Sequence, residues 1–166
     1  MSNTETLKYL NIMIESLQKK QKLLTELLIK TQKQSECIAD RDYDSANWEQ
    51  FQVLMIEKDE AISKIDELDA GFDQVFARVK AELDSNKDAY VSEIKSLQEL
   101  ITALTDTGVK ISATEERNRQ DIERIMTAAK AGIGKARKNM KATSGYITSM
   151  YGNTANAESM KIDSKH

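Results

Sequence analysis

Hydrophobic residues recur at alternating steps of three and four along most of this chain, a spacing that gathers side chains on one face of an α-helix. We call the line of positions reached by these steps the seam of a segment. A first segment, about residues 4–40, has apolar residues at seven of its ten seam positions. In a second segment, about 44–83, nine of eleven seam positions are apolar, and in a third, about 86–125, eight of eleven are. The pattern predicts an all-α fold, a long antiparallel helical hairpin extended to a three-helix, coiled-coil-like bundle.

Polar residues interrupt this pattern in three places. Asp and Ser residues at 40–45 and the Asp-Ser-Asn sequence at 84–86 predict turns that begin new helices. Gly71 predicts a kink or short break in the second helix, because glycine weakens a helix interior. The third helix is polar on all sides from Ser112 to Asp121. Such a stretch is typical of a helix surrounded by solvent, so we expect the third helix to project past the bundle here.

The seam resumes at Met126, one residue out of phase, and lysines and an arginine lie opposite it. Four of the six glycines also fall in this last part of the chain, so the free segment is predicted to be a marginal helix. We predict a helical body over 1–126, a basic amphipathic partner-binding segment over 127–151 and a disordered tail over 152–166. The predicted partner-binding residues are Met126, Ala129, Ile133, Ala136, Met140, Tyr146, Ile147, Met150 and Tyr151.

The distribution of charge separates the same two regions. Residues 1–126 hold 25 acidic and 17 basic residues, a net charge of −8, whereas residues 127–166 hold 2 acidic and 7 basic residues, a net charge of +5. The basic segment could instead fold back onto the body, or lie on an anionic membrane surface. Nucleic-acid binding is disfavoured because the acidic body would repel phosphate, and no segment predicts stable membrane insertion.

Catalytic and metal-binding residue patterns are missing from the sequence. The single histidine is the last residue, His166, and the glycines do not form a phosphate-binding loop. The sequence therefore predicts neither an enzyme nor a bound cofactor or metal. Cys37 has no second cysteine to pair with, and its predicted role is a small buried residue near a helix end. With no signal-peptide pattern at the N-terminus, we expect a cytoplasmic protein.

The sequence resembles the FlgN-type flagellar export chaperones over about residues 5–151. The resemblance depends on short elements: Asp42-Tyr43-Asp44, the run 56–69 that begins Ile-Glu-Lys-Asp-Glu, the run Ser96 to Ile101, and the ending Tyr146-Ile147-Thr148-Ser149-Met150-Tyr151. The related FliT-type cap chaperones share this architecture, so that family remains a second assignment.

The resemblance implies a small helical chaperone that binds the C-terminal helical regions of hook-associated, hook–filament junction proteins. It would keep them unassembled in the cytoplasm for type III export, with the C-terminal amphipathic part as the cargo-binding site. A tyrosine near the C-terminus would contact an export gate component, and Tyr146 and Tyr151 are the candidates. The alternative function is a structural coiled-coil or oligomerisation protein with no cargo. The sequence leaves the oligomeric state open and permits a homodimer.

Overall fold

Three long helices and one short 3₁₀ turn make up the computed structural model, which describes residues 2–151, with side chains up to residue 145. Helix α1 spans Asn3–Ile38 and α2 spans Trp48–Ser85; a 3₁₀ turn, Lys87–Tyr90, leads into α3, Val91–Tyr151. The described residues form no strand, and the predicted all-α fold is confirmed.

The helix ends follow local sequence signals. Ser2 accepts a hydrogen bond from the backbone N–H of Glu5 (3.2 Å), which caps the first turn of α1. Asn47 caps α2 in the same way through Gln50 (3.1 Å). The predicted turn at 40–45 lies between α1 and α2, and Asp40 takes a left-handed backbone conformation there with φ of 55°. The short break expected near Asp69–Gly71 was wrong, because α2 continues through those residues, whereas a kink there stays a prediction.

Helix α1 lies at the centre of the arrangement. It packs along both α2 and α3, whereas α2 and α3 do not pack closely along each other. Near the start of α1, buried residues of the three helices and of the 3₁₀ turn form a cluster that we call the proximal cluster. Its members are Leu10, Met13, Leu17, Val79, Tyr90, Leu97 and Leu104. The fully buried Tyr90 fixes this end, since its hydroxyl donates to Asn3 Oδ1 (2.9 Å) and lies 3.2 Å from Glu82 Oε1.

A smaller distal cluster closes the other end of the body, beside the α1–α2 turn. Its buried residues are Cys37, Ile38, Leu54 and Ile125. Cys37 is buried near the end of α1, as predicted, and this burial raises the pKa of its thiol. Between the clusters, the buried apolar residues Leu27, Ala61 and Ile65 are accompanied by a polar layer. Its buried residues are Thr31, Gln34, Lys58, Thr114 and Asn118.

The polar layer between the clusters corrects a prediction. Residues 112–121 were expected to leave the bundle, yet Thr114 and Asn118 are buried, at 4% and 2% exposure. Asn118 donates from Nδ2 to the carbonyl of Thr31 (3.2 Å) and accepts from Ser35 Oγ (2.5 Å). Hydrogen bonding to α1 therefore allows a polar stretch of α3 to remain packed.

Candidate partner-binding segment

The exposed part of α3 begins directly after the distal cluster. Ile125 is 1% exposed and is packed with residues from both other helices. One residue earlier, the Arg124 guanidinium donates to the carbonyl of Arg41 in the α1–α2 turn (3.2 Å). Beyond these contacts α3 continues without interruption to Tyr151, although α1 and α2 have ended. We call its described part, residues 126–145, the projecting segment.

The projecting segment is exposed almost throughout. Met126, Ile133 and Met140 are 37%, 56% and 63% exposed, and every residue from 130 to 143 is exposed. Ala129 is half-buried, and Ala136 is exposed on the same face. The structure thus brings the first five predicted binding residues onto one helical face that neither α1 nor α2 covers.

The remaining predicted binding residues lie at the end of α3. Tyr146, Ile147, Met150 and Tyr151 belong to its last turns, but their side chains lie outside the described residues. The predicted disordered tail, 152–166, also lies outside them. Whether these residues contribute to binding therefore stays a prediction.

The charge of the segment is uniform. Five basic residues and no acidic residue occur between 127 and 151. Lys130, Lys135, Lys138 and Lys141 are exposed, and none of the four forms an ion pair with another described residue. By contrast, Arg119 in the body is held by Glu116 and Glu123, and its hydrogen bond lowers the pKa of the Glu116 carboxyl. The projecting segment therefore presents a positive, partly apolar surface.

The glycines of the segment leave space around the helix. A methyl group added at Gly132, Gly134 or Gly145 would meet no atom within 4 Å. These glycines are therefore not required by close packing, and their effect is to lower the stability of the helix. Such a helix gains order when a partner packs on it.

Sequence reasoning missed the polar layer that anchors α3 just before the segment. Lys58 of α2, 7% exposed, donates to Gln34 Oε1 (2.8 Å) and forms an ion pair with Glu115 of α3. The amide of Gln34 in turn donates to the carbonyl of Phe51 (3.1 Å). The available signal was a set of seven polar residues at seam positions of the three predicted helices, and five of the seven lie at this level: Thr31, Ser35, Lys58, Glu115 and Asn118.

Other kinds of site receive no support within the described part. No helix of residues 2–151 combines the length and the apolar content needed to cross a bilayer. No group of three or more His, Cys, Asp or Glu residues among the described ones is placed to hold a metal ion. The exposed face of α3 is the candidate site because it carries apolar residues that neither α1 nor α2 covers.

Comparison with known proteins identifies one family. The model of the FlgN family, described as FlgN protein, matches residues 4–159 and so covers the body, the projecting segment and the end of α3. No curated protein and no solved structure matches the chain. FlgN-family members are flagellar export chaperones that bind flagellar proteins, and they are not known as enzymes. A family match over nearly the whole chain, together with an all-α body and an exposed amphipathic helix, shows that this chain belongs to the FlgN family.

Proposed function

We propose that this protein is a cytoplasmic flagellar export chaperone that binds hook-associated proteins through the exposed face of α3. Met126, Ala129, Ile133, Ala136 and Met140 would form the described part of the cargo site. The observation that carries the proposal is the exposure of this apolar face on a helix that extends past its own bundle. A C-terminal helical region of the cargo would pack along it, in the helix-to-helix mode of peptide recognition.

The energetics suit a carrier that must release its cargo. Burying an exposed Ile or Met side chain contributes about 1.5–3 kcal/mol, so a few such contacts suffice for binding. The glycine-rich helix must become more ordered when cargo binds, and this ordering offsets part of the gain. The expected result is reversible binding, which an export chaperone needs at the export gate. A contact of Tyr146 or Tyr151 with a gate component remains part of the proposal.

Binding to purified hook-associated proteins tests the proposal directly. We expect the double variant Ile133→Ser and Met140→Ser to lose at least about tenfold in affinity, measured by isothermal titration calorimetry. The matched control is Val91→Ser with Val109→Ser, because these apolar residues of α3 are similarly exposed, at 61% and 64%, but belong to the body. The control should bind as the wild-type chain does.

The rival function is a structural coiled-coil protein with no cargo. It predicts that no hook-associated protein binds the wild-type chain at micromolar concentrations. That result, or equal losses in the Ser variants of the segment and of the body, would overturn the chaperone proposal.

A further inference from the structure

A second exposed apolar line runs along α2. Met55, Ile62 and Phe76 are 46%, 43% and 37% exposed, and they fall on a seven-residue repeat. The third position of the repeat, Asp69, is half-buried and forms an ion pair with Lys20 of α1 (2.7 Å). Residues seven apart lie on one side of a helix. Helix α1 packs on another side of α2, and α3 does not pack closely along it. Within the described residues this line, which we call the α2 stripe, is therefore exposed at its three apolar positions and bound to α1 at Asp69.

Acidic residues flank the α2 stripe at the same repeat. Asp59, Asp66 and Asp73 each follow a position of the repeat by four residues, which places them beside it on the helix surface. All three are exposed, and none forms an ion pair with another described residue. Helix α2 as a whole has ten acidic and four basic residues, a net charge of −6. The α2 stripe is suited to a basic amphipathic helix.

The chain itself contains a helix of this kind. In the projecting segment, Met126, Ile133 and Met140 also repeat every seven residues, and Lys130 follows the first of them by four. Two helices with the same repeat can pack along one continuous seam. The lengths are similar, because the projecting segment, 126–145, spans about 28 Å and the α2 stripe from Met55 to Phe76 spans about 32 Å at 1.5 Å per residue.

We propose that the projecting segment of one copy docks on the α2 stripe of a second copy, forming a two-fold homodimer. The segment cannot reach the α2 stripe of its own chain, because α3 carries it away from the body as one continuous helix and residues 130–143 are exposed. In a two-fold dimer each segment meets the other copy's α2, so every apolar and charged contact is made twice. The charges of +5 on 127–151 and −6 on α2 favour this pairing over segment with segment or α2 with α2.

The dimer would cover the same apolar face that the proposed function assigns to cargo. Cargo and the second copy would then compete for the projecting segment, so the exposed face would be protected before cargo arrives. Formation of the dimer itself does not depend on the identity of the cargo. The two proposals can accordingly fail separately.

Sedimentation equilibrium of the full-length protein without cargo tests the dimer. We expect concentration-dependent dimerisation that weakens as salt rises. The variant Asp59→Lys with Asp66→Lys should weaken it at least about tenfold, since like charges would then face each other. The control Glu60→Lys with Glu67→Lys makes the same change in net charge one residue further along, about 100° around the helix. Both of these glutamates are exposed, and the control should dimerise as the wild type does.

Charge reversal completes the test. Adding Lys130→Asp and Arg137→Asp, which follow Met126 and Ile133 by four residues, to the Asp59 and Asp66 variant should restore the dimer to within a few-fold of wild type, because opposite charges face each other again. A wild-type chain that stays monomeric overturns the proposal, as do equal losses in variant and control or a failure of the reversal. Helicity measured by circular dichroism confirms that each variant is folded. If the dimer is absent and cargo still binds, only this inference fails.

Discussion

Residues 91–125 and 126–145 belong to the same helix and carry similar apolar repeats, but they differ in what surrounds them. In the first part, side chains such as Leu97, Leu104 and Ile125 are buried against α1 and α2. In the second part, Ile133 and Met140 have the same helical spacing and remain exposed. The difference arises because α1 ends at Ile38 and α2 begins at Trp48, so no helix of the body extends beside the projecting segment. A repeat of apolar residues therefore indicates a surface to be covered, and the tertiary structure decides whether the chain covers it itself.

The largest expected effect compares two isoleucines eight residues apart on α3. Ile125→Ala should lower the free energy of unfolding by about 2–5 kcal/mol, because it removes buried methyl groups from the distal cluster. Ile133→Ala should change it by less than about 0.5 kcal/mol, since that side chain is exposed. Urea unfolding of dilute protein measures both. Similar losses in the two variants would show that the projecting segment is packed in the monomer.

The polar layer gives the next largest effect. Lys58→Met should cost about 1–3 kcal/mol, because it leaves the buried oxygen of Gln34 without its donor. The control Lys64→Met changes the same residue type at an exposed position of α2 and should be nearly neutral. Thermal and urea unfolding would detect the difference. If Lys58→Met instead stabilised the protein, the layer would serve to align the helices rather than to hold them together.

Substitutions at two glycines compare the body with the projecting segment, and their expected effects on stability are smaller. Gly71→Ala in α2 and Gly134→Ala in the projecting segment should each stabilise their helix by about 0.5–1 kcal/mol, since neither added methyl group meets an atom within 4 Å. The first should raise the unfolding temperature of the body. The second should slow amide hydrogen exchange only in the projecting segment. An effect of Gly134→Ala on unfolding of the body would contradict the separation of the two regions.

The smallest expected effect concerns the pH dependence of stability and the α1–α2 turn, which contains Asp42 and Ser45. The backbone N–H of Ser45 donates to Asp42 Oδ1 (2.8 Å), and this hydrogen bond lowers the pKa of the Asp42 carboxyl. A carboxyl whose pKa is lower in the folded state stabilises the fold above its unfolded pKa, near 3.8, and this stability is lost as pH falls through the folded pKa.

The substitution Asp42→Asn should therefore flatten the fall in unfolding temperature at acid pH slightly and leave stability near pH 7 little changed. Thermal unfolding measured from neutral to acid pH checks this. The control Asp44→Asn, at an exposed position of the same turn, should keep the wild-type slope. A large loss for Asp42→Asn at neutral pH would mean that the turn holds the end of the body more strongly than its exposure suggests.

Much of the fold followed from local pattern. The three helices, the turns near 40–45 and 84–86, the buried Cys37 and the family could all be inferred, because helix periodicity and capping residues act over short distances. The predicted ends were displaced by up to five residues: α2 begins at Trp48 rather than about 44, and α3 at Val91 rather than about 86, after a 3₁₀ turn. The first five predicted binding residues share one exposed or half-exposed face, although their contact with cargo is still a prediction.

The sequence by itself determined that the chain is helical, that its body is acidic and that its last amphipathic stretch is basic, because these properties depend only on residue identity and spacing. Only the tertiary structure decided which faces are covered. The polar residues Thr114 and Asn118 are buried because α1 supplies hydrogen-bond partners at their level. The apolar residues Met55 and Ile62 stay exposed because α3 does not pack closely along α2. Burial depends on contacts between residues far apart in the chain, which periodicity along a single helix does not specify.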